Sequence, residues 1–372
     1  MHDLRYDNWL FLMSTTRRHM PLPMAFAAAA VTPTGGNWRY VAGHFRDFVS
    51  SLEPQAAERS TAVATASAVD LLLRRRFPMA RGVGATLEPP PVIIGGYAKD
   101  TAVGGISGVD LVFVLPDRYR TEPAELAGTG QNVWSAVLRD MTSLLAARFA
   151  AVEMSRDGWL SVTAHTPEHD PLGVRIIPGF LCGANGYLVP ANAASTPGKP
   201  WRHMIPKAEK NRLDRVDDDT AQKARHLIRM LKVWRYAASI PVTSFALELL
   251  VCEFLSIWTY RQRSALFYDW MVRDFFFWMA TQSGRSLGIA GSGETLTLSD
   301  LWLDRVLAAR DMAAEAANME RDNQSVAAIA CWRRIFGCRF GEPAQGRAML
   351  FDGLIGDDRR KRGVRGRPSK TA

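Results

Sequence analysis

The segment Val92-Ile-Ile-Gly-Gly-Tyr-Ala-Lys-Asp-Thr-Ala-Val-Gly-Gly-Ile-Ser-Gly-Val-Asp-Leu-Val-Phe-Val-Leu115 constrains the chain most. It reads as a short buried strand, a glycine pair, a turn, and a second strand bearing one carboxylate. The pair Gly95-Gly96 lets backbone N–H groups approach a phosphate closely, because no Cβ stands in the way. On the second strand, side chains alternate between faces, so the position sharing a face with Asp110 two residues earlier is Gly108. A carboxylate at both positions would suit divalent metals; this chain has one.

Of its 372 residues, 47% are hydrophobic, enough for a large core in two lobes or one α+β unit. The net charge of +9 suggests a nucleic-acid partner until it is located. Arg359, Arg360, Lys361, Arg362, Arg365, Arg367 and Lys370 crowd the last fourteen residues without an acid, leaving +2 for the rest. The basic character therefore belongs to a tail. Its Arg365-Gly-Arg-Pro stretch resembles a minor-groove AT-hook core, making Arg365, Arg367 and Lys370 weak DNA-binding candidates beside a solubilising tail. Cys182, Cys252, Cys331 and Cys338 lack metal or redox spacing and read as buried thiols of a cytoplasmic protein with no membrane partner. Residues 1–36 read as an extension or a misplaced start, since Met13, Met20 and Met24 follow.

Helical spacing predicts two helices over residues 44–77, broken near Pro54, and a longer one from Val133 to Val152. Strands are expected at Val92 to Ile94, Leu111 to Leu115, Trp159 to Ala164 and Gly173 to Ile177. His165, Glu168, His169 and Asp170 are expected in a solvated turn joining the last two. Beyond Asp217 the pattern is helical: Ala221 to Ala238, Thr243 to Tyr260, Ala265 to Thr281, Ser299 to Glu320 and Ser325 to Phe336. Ser299 and Asp300 read as the N-cap of the fourth. The aromatic run Phe267 to Ala280 has charges at helical intervals and reads as a helix buried between neighbours. The expected organisation is an N-terminal extension over 1–43, a core lobe over 44–215, a helical lobe over 216–345 and a basic tail over 346–372.

Several motifs occur in a fixed order: Gly95-Gly-Tyr-Ala98 with Thr101, Val109-Asp-Leu111, Ile176-Ile-Pro-Gly-Phe180, Gly186-Tyr-Leu-Val-Pro190, Trp201, His226 to Trp234, and Ser244-Phe-Ala-Leu-Glu248. Over about residues 44–340 the sequence resembles the cGAS/DncV-like nucleotidyltransferases, bacterial antiphage signalling enzymes of the polymerase-β superfamily. The resemblance implies a bilobed α+β fold, a mixed sheet with helices joined to a helical lobe. It implies nucleotide contacts from Gly95, Gly96, Tyr97, Lys232 and Ser244, the last two toward a triphosphate. It also implies three carboxylates holding two Mg2+ or Mn2+ ions, at the positions of Gly108, Asp110 and Arg175. Only Asp110 is acidic, which leaves it as a lone candidate metal ligand. Tyr187 and Trp201 are candidates to stack on a base, with a core role the plainer reading.

If the strands pair as in the family, Arg175 lies within a few ångströms of Asp110, in the space of the metals. Two unit charges about 4 Å apart interact by about 4 kcal/mol at an effective dielectric near 20, so the cation satisfies Asp110 and repels magnesium. The favoured reading is a catalytically impaired or inactive protein that binds a nucleoside triphosphate or a protein partner from a defence operon. An active enzyme making a cyclic or linear oligonucleotide from nucleoside triphosphates is the alternative, with Asp100, Glu153 or Asp157 as substitute ligands. A DNA-binding module using the tail is the third.

Overall fold

The computed structural model describes residues 38–79, 91–120, 133–149, 151–154, 160–166, 169–184, 186–191, 201–264 and 267–341. The N-terminal stretch, Asp157, Glu168 and the basic tail with Arg365, Arg367 and Lys370 lie outside them. In chain order the elements are α1 (Trp38–Ser50), α2 (Ala56–Arg76), β1 (Val92–Ile94), the one-turn α3 (Gly95–Ala98), β2 (Val109–Val114), α4 (Val133–Ala146), β3 (Ala151–Met154), β4 (Leu160–Thr166), β5 (His169–Cys182), β6 (Gly186–Pro190) and β7 (Trp201–Met204). Then follow α5 (Pro206–Asp219), α6 (Lys223–Ala237), α7 (Ser244–Ile257), α8 (Tyr268–Met279), a small hairpin of β8 (Ser286–Gly288) and β9 (Thr295–Thr297), α9 (Leu303–Arg321) and α10 (Ser325–Phe336).

The sheet runs β1-β2-β5-β4-β3, and the far half of the long β5 pairs with β6, which pairs with β7. Among the described residues only β2 and β5 pair in parallel; their register sets Asp110 opposite Arg175 and Leu111 opposite Ile176. Alternation then sorts side chains by face. Leu111, Phe113, Val174, Ile176, Phe180 and Leu188 point to one side and pack under α2 and α4 through Val69, Leu73, Trp134, Val137 and Met141. The other side keeps a small apolar pad of Ile94, Val112, Val114, Ile177, Val189 and Met204, and this is the face that carries Asp110 and Arg175.

The remaining helices form a second, larger core in which α6 to α10 bury Leu227, Leu231, Leu250, Phe254, Phe275 and Trp332 among others. The aromatic α8 is buried there, with Tyr268, Met271, Val272, Phe275, Phe276 and Met279 inside. Among the described residues no helix is long and apolar enough to cross a membrane.

The structure corrects several expectations. Helix α1, read as part of the sheet lobe, packs into the helical core: Phe45 meets Trp332 edge-on at 5.0 Å and Phe48 meets Phe336 at 5.0 Å. The helix from Val133 stops at Ala146, and Ala151–Met154 pairs with β4 as an edge strand, tertiary pairing overriding helical spacing. His169 and Asp170 belong to β5, and His165 to β4. Helix α9 starts at Leu303, with no side-chain cap from Ser299 or Asp300, because Trp302 is buried at its start and holds the turn there. Cys252 and Cys331 are buried, but Cys182 is half-buried and Cys338, just past the end of α10, is exposed.

Candidate functional site

At the end of β1 the chain turns through Gly95, whose φ of +65° suits glycine. A Cβ there would overlap Oδ2 of Asp110, so the glycine also lets the backbone sit against that carboxylate. The Gly96 carbonyl accepts hydrogen bonds from the N–H groups of Thr101 (2.8 Å) and Ala102 (3.0 Å), which closes the loop. Tyr97 turns back toward α2, where its hydroxyl donates to Oε1 of Glu58 at 3.2 Å.

Asp110 and Arg175 face each other across the parallel strands, with the guanidinium Nη2 2.6 Å from Oδ1. The carboxylate side chain is 18% exposed and the guanidinium side chain 43%. Burial pushes the Asp110 carboxyl above its ordinary range, outweighing the pull of Arg175 and Lys232. Gly108, at the neighbouring same-face position, has no room for a side chain unless the backbone shifts. A Cβ would stand 2.5 Å from the backbone oxygen of Gly173 on β5.

Lys232 on α6 is buried, and its ammonium donates to the Thr101 carbonyl (3.0 Å), the Thr101 hydroxyl (2.8 Å) and Oε1 of Glu248 (3.0 Å). These three bonds use all three of its donors. The other Glu248 oxygen accepts from Lys99 at 3.0 Å, and Lys99 also donates to Glu209 on α5 at 2.8 Å. Burial alone would raise the Glu248 carboxyl, but Lys232 and Lys99 outweigh it and hold it down at about 2. The network ties the glycine loop to α5, α6 and α7. Ser244 is half-buried at the first position of α7, and the capping hydroxyl is that of Thr243, accepting from the Ala246 N–H at 3.0 Å. Trp201 points to the opposite face of the sheet, edge-on to Trp134 (5.0 Å) and Phe180 (5.5 Å), and so serves the core. Tyr187 stays half-buried beside the apolar pad on the Asp110 side.

Two arginines escaped the sequence reading. Arg202 on β7 stands opposite Val189 and shares the sheet face of Asp110 and Arg175, and Arg235 lies one turn beyond Lys232 on α6. Both guanidiniums are half-buried, and burial together with the charge of Arg175 pulls both below the usual arginine range. Helical spacing from Lys232 was the available signal for Arg235; Arg202 had none, because β7 was not anticipated.

The residues present do not fit a pair of divalent cations. The one carboxylate in place is ion-paired, the second position is a glycine pressed against the β5 backbone, and the third is a cation. Among the described residues no group of three His, Cys, Asp or Glu side chains is placed to hold a metal. Asp100 pairs with Arg59 at 3.0 Å on α2, and Glu153 lies exposed on the edge strand β3.

No protein-family model matches the sequence, and no curated protein does. Solved structures do match the fold. Escherichia coli MS115-1 CdnC, determined with ATP, superposes with a TM-score of 0.56 at 12% identity over 82% of this chain and 98% of CdnC. CdnC in complex with HORMA-deltaN gives 0.56 at 11% identity over 81% of this chain and 98% of its own. The Vibrio cholerae cyclic AMP-GMP synthase DncV, with a linear intermediate, gives 0.50 at 11% identity over 82% and 88%. The chain therefore has the cGAS/DncV-like nucleotidyltransferase fold, a mixed sheet lobe joined to a helical lobe.

Proposed function

We infer that the chain is a catalytically silent protein of this fold that works by binding a nucleoside triphosphate without divalent metal, in signalling of the bacterial antiphage type. The observation that carries this reading is the pairing of Asp110 with Arg175. Nucleotidyl transfer needs charge stabilisation on the attacking and leaving oxygens, which paired metals supply when carboxylates hold them. Here the surviving carboxylate is neutralised by the side chain standing where another would be. The solved relatives support a nucleotide as occupant, since CdnC was determined with ATP.

The reading is tested in two measurements on the full chain. Incubation with all four labelled nucleoside triphosphates and Mg2+ or Mn2+ is expected to give neither pyrophosphate nor a new oligonucleotide; a metal-dependent product would overturn the loss of catalysis. Calorimetry with ATP and GTP in chelator is expected to show binding; binding seen only after magnesium is added would overturn the metal-free mode.

A further inference from the structure

We propose that Arg175, Arg202 and Arg235 form a polyphosphate receptor in which fixed guanidinium groups take the place of metal ions. The inference rests on the nucleotide-binding reading above and names the groups and ligand chemistry of that same cleft. Strand register puts Arg175 and Arg202 on one face of the sheet, around the pad of Ile177, Val189 and Met204. Arg235 stands on α6 one turn beyond Lys232, held by the donation of its Nε to the Val242 carbonyl. Arg202 and Arg235 each lie within Coulombic reach of Arg175.

Three of the nearby carboxylates are already engaged with cations. Asp110 is paired with Arg175, and Glu209 and Glu248 hold Lys99 and Lys232. Glu294, the other acid near Arg202, accepts from the His203 N–H with Oε1, while among the described residues its buried Oε2 has no hydrogen-bond partner and no cation pairs with it. Among the described residues neither Arg202 nor Arg235 makes an ion pair with a carboxylate. Like charges that share a half-buried face without enough carboxylate repel one another, and an anion relieves that repulsion. Planar guanidinium forks match the oxygens of phosphate groups in pairs, and three forks suit a run of adjacent phosphates better than a single carboxylate. Inorganic and nucleoside polyphosphates share this chemistry.

The experiment is calorimetry in chelator with sodium tripolyphosphate, ATP and adenosine. It compares the wild type with Arg202→Gln, Arg202→Lys and Arg235→Gln, each first shown to melt cooperatively. The wild type is expected to bind tripolyphosphate and ATP but not adenosine. Arg202→Gln and Arg235→Gln are each expected to weaken both ligands about tenfold or more, the loss of one charge-assisted contact. Arg202→Lys, which keeps the charge and loses the fork, is expected to fall between. Glutamine variants that bind both ligands like the wild type would overturn the receptor. ATP bound in chelator with tripolyphosphate ignored would overturn the receptor and leave the nucleotide reading standing. Neither ligand bound in chelator would overturn both.

Discussion

Gly108 and Gly173 approach so closely across β2 and β5 that a methyl group on the first would press against the carbonyl oxygen of the second at 2.5 Å. The missing carboxylate of this cleft is thus built into the backbone spacing and is more than an exchange of side chain. Gly108→Asp is expected to cost about 1–3 kcal/mol through overpacking against a backbone atom that has little freedom to move. Urea melts of this variant check it. Adding Arg175→Asp to restore the acids is expected to yield a less stable protein and no product; a stable, active double variant would show that the strands separate readily.

The Asp110–Arg175 pair is half open to solvent, so its contribution is smaller than that of a buried ion pair. Arg175→Met is expected to destabilise by about 1–2 kcal/mol, mostly by leaving the Asp110 carboxylate poorly compensated. The double variant with Asp110→Asn is expected to recover part of that loss, a coupling of about 1 kcal/mol in a double-mutant cycle. Strict additivity would mean the two groups do not interact in solution.

Glu248 sits between Lys232 and Lys99 with all three buried. Glu248→Gln removes the charge that both ammonium groups need, with an expected loss of about 3–5 kcal/mol. The wild-type carboxyl is held at about 2, below its unfolded value near 4.3. Its stabilisation is full above the unfolded value and fades as pH falls toward 2. Chemical denaturation across acid pH is expected to show this slope in the wild type and a shallower one in the variant.

A second titrating pair joins α8 to α9, where Asp269 and Glu320 hydrogen-bond each other. Burial raises both carboxyls, with their mutual repulsion adding to Glu320, and Arg273 offsets only part. The folded state holds a proton that the unfolded chain releases, so stability falls as pH rises above about 4. Glu320→Gln keeps the hydrogen bond without the charge and is expected to gain stability over the wild type at alkaline pH. Equal pH profiles for the two proteins would remove the shared proton.

The facing of Asp110 and Arg175 was expected only through the family resemblance, whose motifs are short stretches of sequence, on the condition that the strands pair as they do in that family. What stayed hidden depends on distant partners. Lys232 was expected at a triphosphate, and its engagement with Glu248 and Thr101 needs α6, the glycine loop and α7 brought together. Nothing near Gly108 announces the Gly173 carbonyl, sixty-five residues away. The strand at Ala151–Met154 carries helical spacing and is extended only because β4 pairs with it. The start of α9 is displaced by the burial of Trp302, a packing decision that a local Ser-Asp signal does not contain.

A crystal structure grown with saturating magnesium and a non-hydrolysable ATP analogue tests the central claim most directly. The expected density shows phosphates against Arg175, Arg202 and Arg235 with no divalent ion on Asp110. Two magnesium ions bound beside Asp110, with the Arg175 guanidinium swung away, would contradict it.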